Sequence, residues 1–202
     1  MYNKIAKNII GVFCTIIIFS TSLSSGYAQS GETTYSVTTY ISLGYSRFIS
    51  ELDDNDLDKN GLSGTIRLMW EPEHLLSIGI ESGYLQLYNF NSKVSLGNEN
   101  IFNVSSELTA VPILSIFSME IFNNLKLSIG SGIFILLSNV DVLNNLVNSN
   151  QVSTGVLAGG SYLYPISHTI SLGGEVKYYH INKIEDGDLT LQFSLQYRFL
   201  TY

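Results

Sequence analysis

The chain is 202 residues long, only 13% of them charged, with 17 acidic against 10 basic side chains for a formal net charge of −7. That length is one domain's worth, and nothing in the sequence suggests a second. The acidic balance leaves no electrostatic case for binding nucleic acid, where Lys and Arg must neutralise phosphates. The charged fraction falls well below the quarter usual in soluble globules.

Residues 1–28 have the grammar of a cleaved secretory signal. Lys4 and Lys7 form a positive start, Ile9–Phe19 an apolar stretch, and Gly26-Tyr27-Ala28 a small-residue cleavage site. The apolar stretch is about half the ~20 residues a spanning helix needs. Cys14, the single cysteine, lies inside it after the bulky Phe13, an unfavourable context for lipidation. Cleavage after Ala28 leaves residues 29–202 with 8 basic and 17 acidic groups, net −9. The mature chain then has no disulfide, thiol nucleophile or thiolate metal site.

Beyond Gly31 the recurring pattern is alternation with period two, which marks half-buried strands. It predicts strands over 36–48, 62–71, 75–88, 102–118, 125–138, 151–164, 169–180 and 188–200. The last is the clearest: Leu189, Leu191, Phe193, Leu195, Tyr197 and Phe199 share one face, and Thr190, Gln192, Ser194, Gln196 and Arg198 the other. The segments near 103–118 and 152–164 alternate less cleanly, and Pro112 requires a bulge or an unpaired position. Each predicted strand meets or exceeds the ~9–11 residues of a tilted membrane-crossing strand.

The predicted connections alternate in length. Pro72-Glu73-His74, Asn123-Asn124 and Pro165-Ile166-Ser167 are tight turns, whereas Ile49–Gly61, Asn89–Ile101, Asn139–Asn150 and Ile181–Gly187 are longer polar links. Short turns on one side and long loops on the other fit an all-β, eight-stranded antiparallel up-and-down transmembrane barrel with both termini periplasmic. A closed sheet pairs every backbone polar group internally, as lipid demands. The competing arrangement is a secreted sandwich or lipocalin-like barrel. Against it, aromatics gather near strand ends (Trp70, Phe117, Tyr162, Tyr164, Tyr197 and Phe199 by the turns; Tyr45, Tyr88 and Tyr178 toward the loops) as in interfacial girdles.

The face opposite the apolar one carries Arg67, Glu81, Glu107, Lys126, Glu175, Lys177 and Arg198, an expected interior charge network. Eight strands leave a bore that side chains can fill. The expectation is therefore a paired polar plug, with a minor narrow pore as the alternative.

Residues 155–165, Gly-Val-Leu-Ala-Gly-Gly-Ser-Tyr-Leu-Tyr-Pro, and 171–179, Ser-Leu-Gly-Gly-Glu-Val-Lys-Tyr-Tyr, resemble the sixth and seventh strands of small outer-membrane β-barrel domains, the PorT-like and OmpX/OmpA-like barrels. Ala110-Val111-Pro112-Ile113-Leu114 resembles that family's fourth-strand segment. The closing Leu195–Tyr202 is similar to the aromatic C-terminal signal read by the barrel-assembly machinery. The resemblance covers nearly all of 33–202 and implies an integral outer-membrane location, with outer-membrane lipid and the assembly machinery as partners. It does not imply one activity.

The local motifs offer little chemistry. Asp56-Leu57-Asp58-Lys59-Asn60-Gly61 copies the opening of a calcium loop, where oxygen ligands alternate before a Gly. Asp54, Asp56, Asp58 and Asn60 are thus a weak candidate Ca2+ site, assisted by Glu51 and Asp53. Position twelve is Arg67 instead of Glu, however, so a hydrated acidic turn is the ordinary reading. His180 stands near Glu185, Asp186 and Asp188, the one constellation that suggests a lipid-modifying or proteolytic barrel enzyme. The lipid A deacylases place a Ser two residues after the His; here it is Asn182. Gly159-Gly160 and Gly173-Gly174 are places where neighbouring chains need room. The expected protein is a monomer without cofactor or catalysis, structural or recognising an extracellular or envelope partner through its loops.

Overall fold

The computed structural model describes residues 35–50, 57–72, 76–96, 100–142, 145–184 and 186–201. The predicted signal segment lies outside them, as do Asp54, Asp56, His74 and Glu185. The unit beginning at Thr34 contains strands β1 (Ser36–Ile49), β2 (Leu57–Asp58), β3 (Asn60–Glu71), β4 (Leu76–Leu96), β5 (Asn100–Phe122), β6 (Leu125–Val142), β7 (Asn145–Pro165), β8 (Ile170–Ile181) and β9 (Asp186–Thr201). Each long strand pairs antiparallel with its chain neighbour. The ring closes where β1 pairs β9, from Ser36↔Thr201 to Ile49↔Gly187. The result is a closed eight-stranded antiparallel barrel, to which β2 adds two residues beside β4.

Period-two alternation becomes inside and outside. On β9, Gln192, Ser194 and Gln196 are buried in the lumen, while Leu191, Phe193 and Tyr197 are half-exposed or more on the wall. On β3, Ser63, Thr65, Arg67, Met69 and Glu71 are buried, and Leu62, Ile66, Leu68 and Trp70 face out. The outer wall thus presents large apolar side chains on every barrel strand, with Leu43 at 67% and Leu62 at 70% exposure. Water would penalise such a surface at roughly 25 cal/mol per Å2.

The lumen is not uniformly polar. Strands β4–β7 send Leu85, Leu87, Leu108, Ala110, Leu114, Ile116, Phe134, Leu136, Leu157 and Leu163 inward. This explains why alternation blurs near 103–118: β5 is apolar on both faces, with Ile113 and Phe117 outside and Leu114 and Ile116 inside. Large inward side chains need small neighbours. A Cβ on Gly155 would lie 2.6 Å from the ring of Phe134. One on Gly173 would meet the Tyr162 carbonyl at 1.8 Å, so the strands there approach too closely for any side chain.

Two of the predicted long loops are largely strand. The β4–β5 ladder runs on through Leu96↔Asn100, and the β6–β7 ladder through Val142↔Asn145. Asn89–Ile101 and Asn139–Asn150 therefore correct to extended hairpins. Pro112 sits where it must: it pairs in register with Phe134 on the β6 side, while the β4–β5 ladder is interrupted between Ser82↔Ile113 and Leu85↔Ala110. The tight turns are built locally. Asn124 takes φ 73°, a left-handed value Asn tolerates, and its N–H is accepted by Glu120 Oε1 at 3.2 Å.

Candidate functional site

The lumen, its turn end and its loop end are the three places where polar chemistry collects. In mid-barrel, Arg67 of β3, Glu81 of β4, and Glu175 and Lys177 of β8 converge. Arg67 Nε donates to Glu81 Oε2 at 2.7 Å, and its guanidinium lies 3.3 Å from Glu175 Oε2. Lys177 Nζ is 3.0 Å from Glu81 Oε2 and 2.8 Å from Glu175 Oε1, and it also donates to Thr65 Oγ1 at 2.8 Å. Tyr179 Oη completes the cluster by donating to Glu81 Oε1 at 2.9 Å. Two cations and two anions cancel, which is the condition for holding charge away from water.

Lys126 joins a separate group nearer the turns. Its Nζ is 2.7 Å from Glu71 Oε1 and 3.1 Å from Tyr40 Oη, while Ser36 Oγ donates to Glu71 Oε2 at 3.0 Å. Glu71 and Tyr40 are absent from the sequence-based network. Glu71 is the last residue of the predicted strand 62–71 and continues the parity of Arg67 and Met69, which is the clue the sequence holds. The remaining two predicted members stand apart. Glu107 lies toward the loop end, with Gln86 Nε2 at 3.5 Å. Arg198 lies at the turn end and makes no ion pair among the described residues.

Polar pairs fill the rest of the lumen beside β1 and β9. Ser42 and Ser194 share a hydrogen bond of 2.8 Å, Gln192 Nε2 donates to Ser63 Oγ at 2.9 Å, and Ser46 Oγ donates to Asp188 Oδ1 at 2.6 Å. Above the charge cluster the packing turns apolar around Phe134, which meets Tyr179 edge-on at 6.1 Å between ring centroids. Lys177, Glu81 and Arg67 are each at most 3% exposed, so the charged layer is sealed rather than bathed.

The constellation around His180 does not assemble among the described residues. On β8 the inward residues are Glu175, Lys177 and Tyr179, which places His180 on the outer face with Val176 and Tyr178. Asp188 is fully buried on the lumen side, paired across from Tyr179. Of the candidate calcium ligands, Asp54 and Asp56 lie outside the described residues. Asp58 Oδ1 accepts the backbone and side-chain N–H groups of Asn60 at 3.1 and 3.0 Å, and Asn60 Oδ1 accepts the Tyr45 hydroxyl. These oxygens are therefore used within the turn. No group of three or more His, Cys, Asp or Glu suited to a metal occurs among the described residues.

At the turn end, Pro165, Ser167, His168, Thr169, Ser171, Gln196 and Arg198 line a cavity of about 220 Å3. Among the described residues, no acidic side chain lines it.

No family model matches the sequence, and no curated protein does. Solved structures do match in shape. The attachment invasion locus protein Ail of Yersinia pestis, solved with the heparin analogue sucrose octasulfate, has TM-score 0.53 and 14% identity over 81% of this chain and 99% of its own. A major outer membrane protein from Thermus thermophilus has TM-score 0.54 and 10% identity, over 82% and 99%. Neisserial surface protein A matches at TM-score 0.47 and 16% identity, over 83% and 100%. The likeness is one of fold: this chain closes the same kind of small barrel that these bacterial surface proteins close.

Proposed function

We propose that the chain is an integral protein of the bacterial outer membrane that recognises a partner through its loop-end hairpins, with the barrel as their rigid mount. Both termini then face the periplasm, the assembly machinery inserts the barrel, and the folded protein is a monomer in lipid. The apolar outer wall supports the location, because only a lipid solvent suits so many exposed Leu, Ile and Phe side chains. Small barrels of this shape in bacterial outer membranes support it further.

The observation that carries the recognition role is the height of one side of the barrel. The β3–β4 ladder stops at Ser63↔Leu85 and the β7–β8 ladder at Gly155↔Ile181, whereas β4–β5 and β6–β7 continue to Leu96↔Asn100 and Val142↔Asn145. The β5–β6 ladder joins these hairpins up to Val104↔Val142. Four strands thus stand beyond the rim as one blade, with about five to seven residues per strand (90–96, 100–106, 138–142 and 145–149) projecting roughly 20 Å before tilt. Binding residues are commonly held on such extensions of a rigid scaffold. A polyanionic partner like the one bound in the Ail structure suits this chain poorly, given 17 acidic residues against 8 basic ones outside the signal.

The test is a trimmed barrel in which residues 90–106 and 138–149 are each replaced by an Asn-Gly turn, a dipeptide suited to two-residue hairpins. It should retain heat-modifiable gel migration and fractionate with outer membranes, yet lose partners captured by photo-crosslinking on intact cells. A trimmed barrel that captures the same partners would remove the blade from the account.

A further inference from the structure

We propose that the turn end of the lumen is a binding site for a small oxyanion, a carboxylate or a phosphate, held by Arg198 together with Gln196 and Ser171. The site is a different surface from the blade and does not depend on its role.

The cavity owes its shape to backbone anchoring. Arg198 N donates to Thr169 O at 2.8 Å, which draws the β7–β8 turn over the end of β9. The turn is fixed in itself: Ile166 N and Ser167 N both donate to Ile170 O, at 2.9 and 3.0 Å. Ser167 Oγ accepts the N–H groups of Thr169 and Ile170 at 3.3 and 3.0 Å. With its acceptor capacity spent on those two donors, Ser167 gives its O–H to Thr169 Oγ1 at 3.4 Å, which leaves the Thr169 O–H to give. Ser171 pairs across from Gln196 in the β8–β9 ladder, so the two side chains stand next to each other on the lumen face.

Two side chains there lack what their counterparts have. Arg67, Lys126 and Lys177 each have a carboxylate within 3.3 Å, but Arg198 has none among the described residues. Glu71, whose field reaches Arg198, already spends its oxygens on Lys126, Tyr40 and Ser36. Gln196 is only 6% exposed, yet its amide makes no side-chain hydrogen bond among the described residues, whereas Gln192 and Ser194 beside it are both paired. Its amide atoms are not among the sealed polar atoms that lack a partner, so they keep access to open space. The surface left to it is the cavity that it lines with Arg198, His168 and three hydroxyl residues.

This donor set defines the ligand. A guanidinium offers a planar fork that fits two oxygens of a carboxylate or phosphate. The Gln196 amide and the Ser and Thr hydroxyls add neutral donors, and among the described lining residues no acid is present to repel an anion. A free amine or a cation would find no counter-charge among them. The oxyanion can arrive as a solute at the mouth or as the phosphate of a lipid headgroup at the neighbouring interface, and the experiment separates the two.

The full barrel, refolded in zwitterionic detergent with 15N labelling, is titrated with inorganic phosphate, with acetate and, as an ionic-strength control, with sodium chloride. The guanidinium Nε–H of Arg198 and the amide of Gln196 are followed by NMR. Phosphate or acetate should move both signals along a saturable curve in the millimolar range, and chloride should move them weakly and linearly. Arg198→Gln should weaken saturation at the Gln196 amide at least tenfold. Arg198→Lys, which keeps the charge but loses the fork, should fall between. Because Arg198 is exposed, these variants should keep heat-modifiable migration. In nanodiscs, saturation by added phosphate in purely zwitterionic lipid assigns a solute. Shifts that appear only when phosphatidylglycerol is included assign a headgroup. Linear shifts for every anion in both settings, or saturation that survives Arg198→Gln, would overturn the proposal.

Discussion

Glu81 holds three donors at once: Arg67 Nε, Lys177 Nζ and Tyr179 Oη. Its removal leaves two cations facing each other at mid-lumen with only Glu175 between them. Breaking a buried ion pair from one side costs about 3–5 kcal/mol. Glu81→Gln should therefore destabilise the barrel by roughly that amount in urea unfolding from detergent. Glu107→Gln, at the loop end, should change stability by less than about 1 kcal/mol, because this half-buried carboxylate makes no ion pair among the described residues. Equal losses in the two variants would mean that the cluster is no more than an ordinary set of polar contacts. Arg67, Glu81, Glu175 and Lys177 were legible in the sequence, because parity along a strand assigns a face without any knowledge of the fold. Which charges touch depends on shear around the ring, which no single strand encodes. For that reason the pairing of Lys126 with Glu71 and Tyr40 could not be read, and Arg198 was grouped with charges it does not meet.

At the level of the strand, alternation reports contrast between two environments. Where one side is an apolar outer wall and the other a polar lumen, as on β3 and β9, the boundaries emerge within a few residues. Where the lumen itself is apolar, as along β5, contrast falls and the pattern blurs. Past the rim, residues 147–152 are exposed whichever way they point, contrast vanishes, and Asn139–Asn150 resembles a loop although it is ladder. Amide exchange distinguishes these descriptions. Leu137–Val142 of β6 lies between two ladders and should exchange slowly at every position. From Asn145 to Ser153, β7 pairs with β6 but not with β8 among the described residues, so protection should alternate residue by residue. Uniformly fast exchange through both segments would restore the loops.

The whole molecule offers its own probe in Trp70, the single tryptophan. It is 43% exposed on the outer wall beside the β3–β4 turn and stacks on Tyr35 with ring planes 5° apart. In an interfacial girdle it should fluoresce at blue-shifted wavelength in vesicles. Quenching should be strong from a label high on the acyl chain and weak from one at the bilayer centre. Strong quenching by aqueous iodide with none by labelled lipid would place the barrel outside the membrane.

The join between β1 and β9 bears on how such a molecule is made. The first barrel strand in chain order has as its neighbour the last one of the ring, along rungs from Ser36↔Thr201 to Ile49↔Gly187. Ser42 with Ser194, and Ser46 with Asp188, also meet across it inside. Such distant pairing in sequence slows folding, since a long loop must close before any contact repays the ordering. Until β9 has been made, β1 has only half of its hydrogen-bonding partners. A chain cut short of β9 therefore carries a sticky open margin, and any proofreading of the fold has a single structural question to ask: whether the first and last strands of the ring have met.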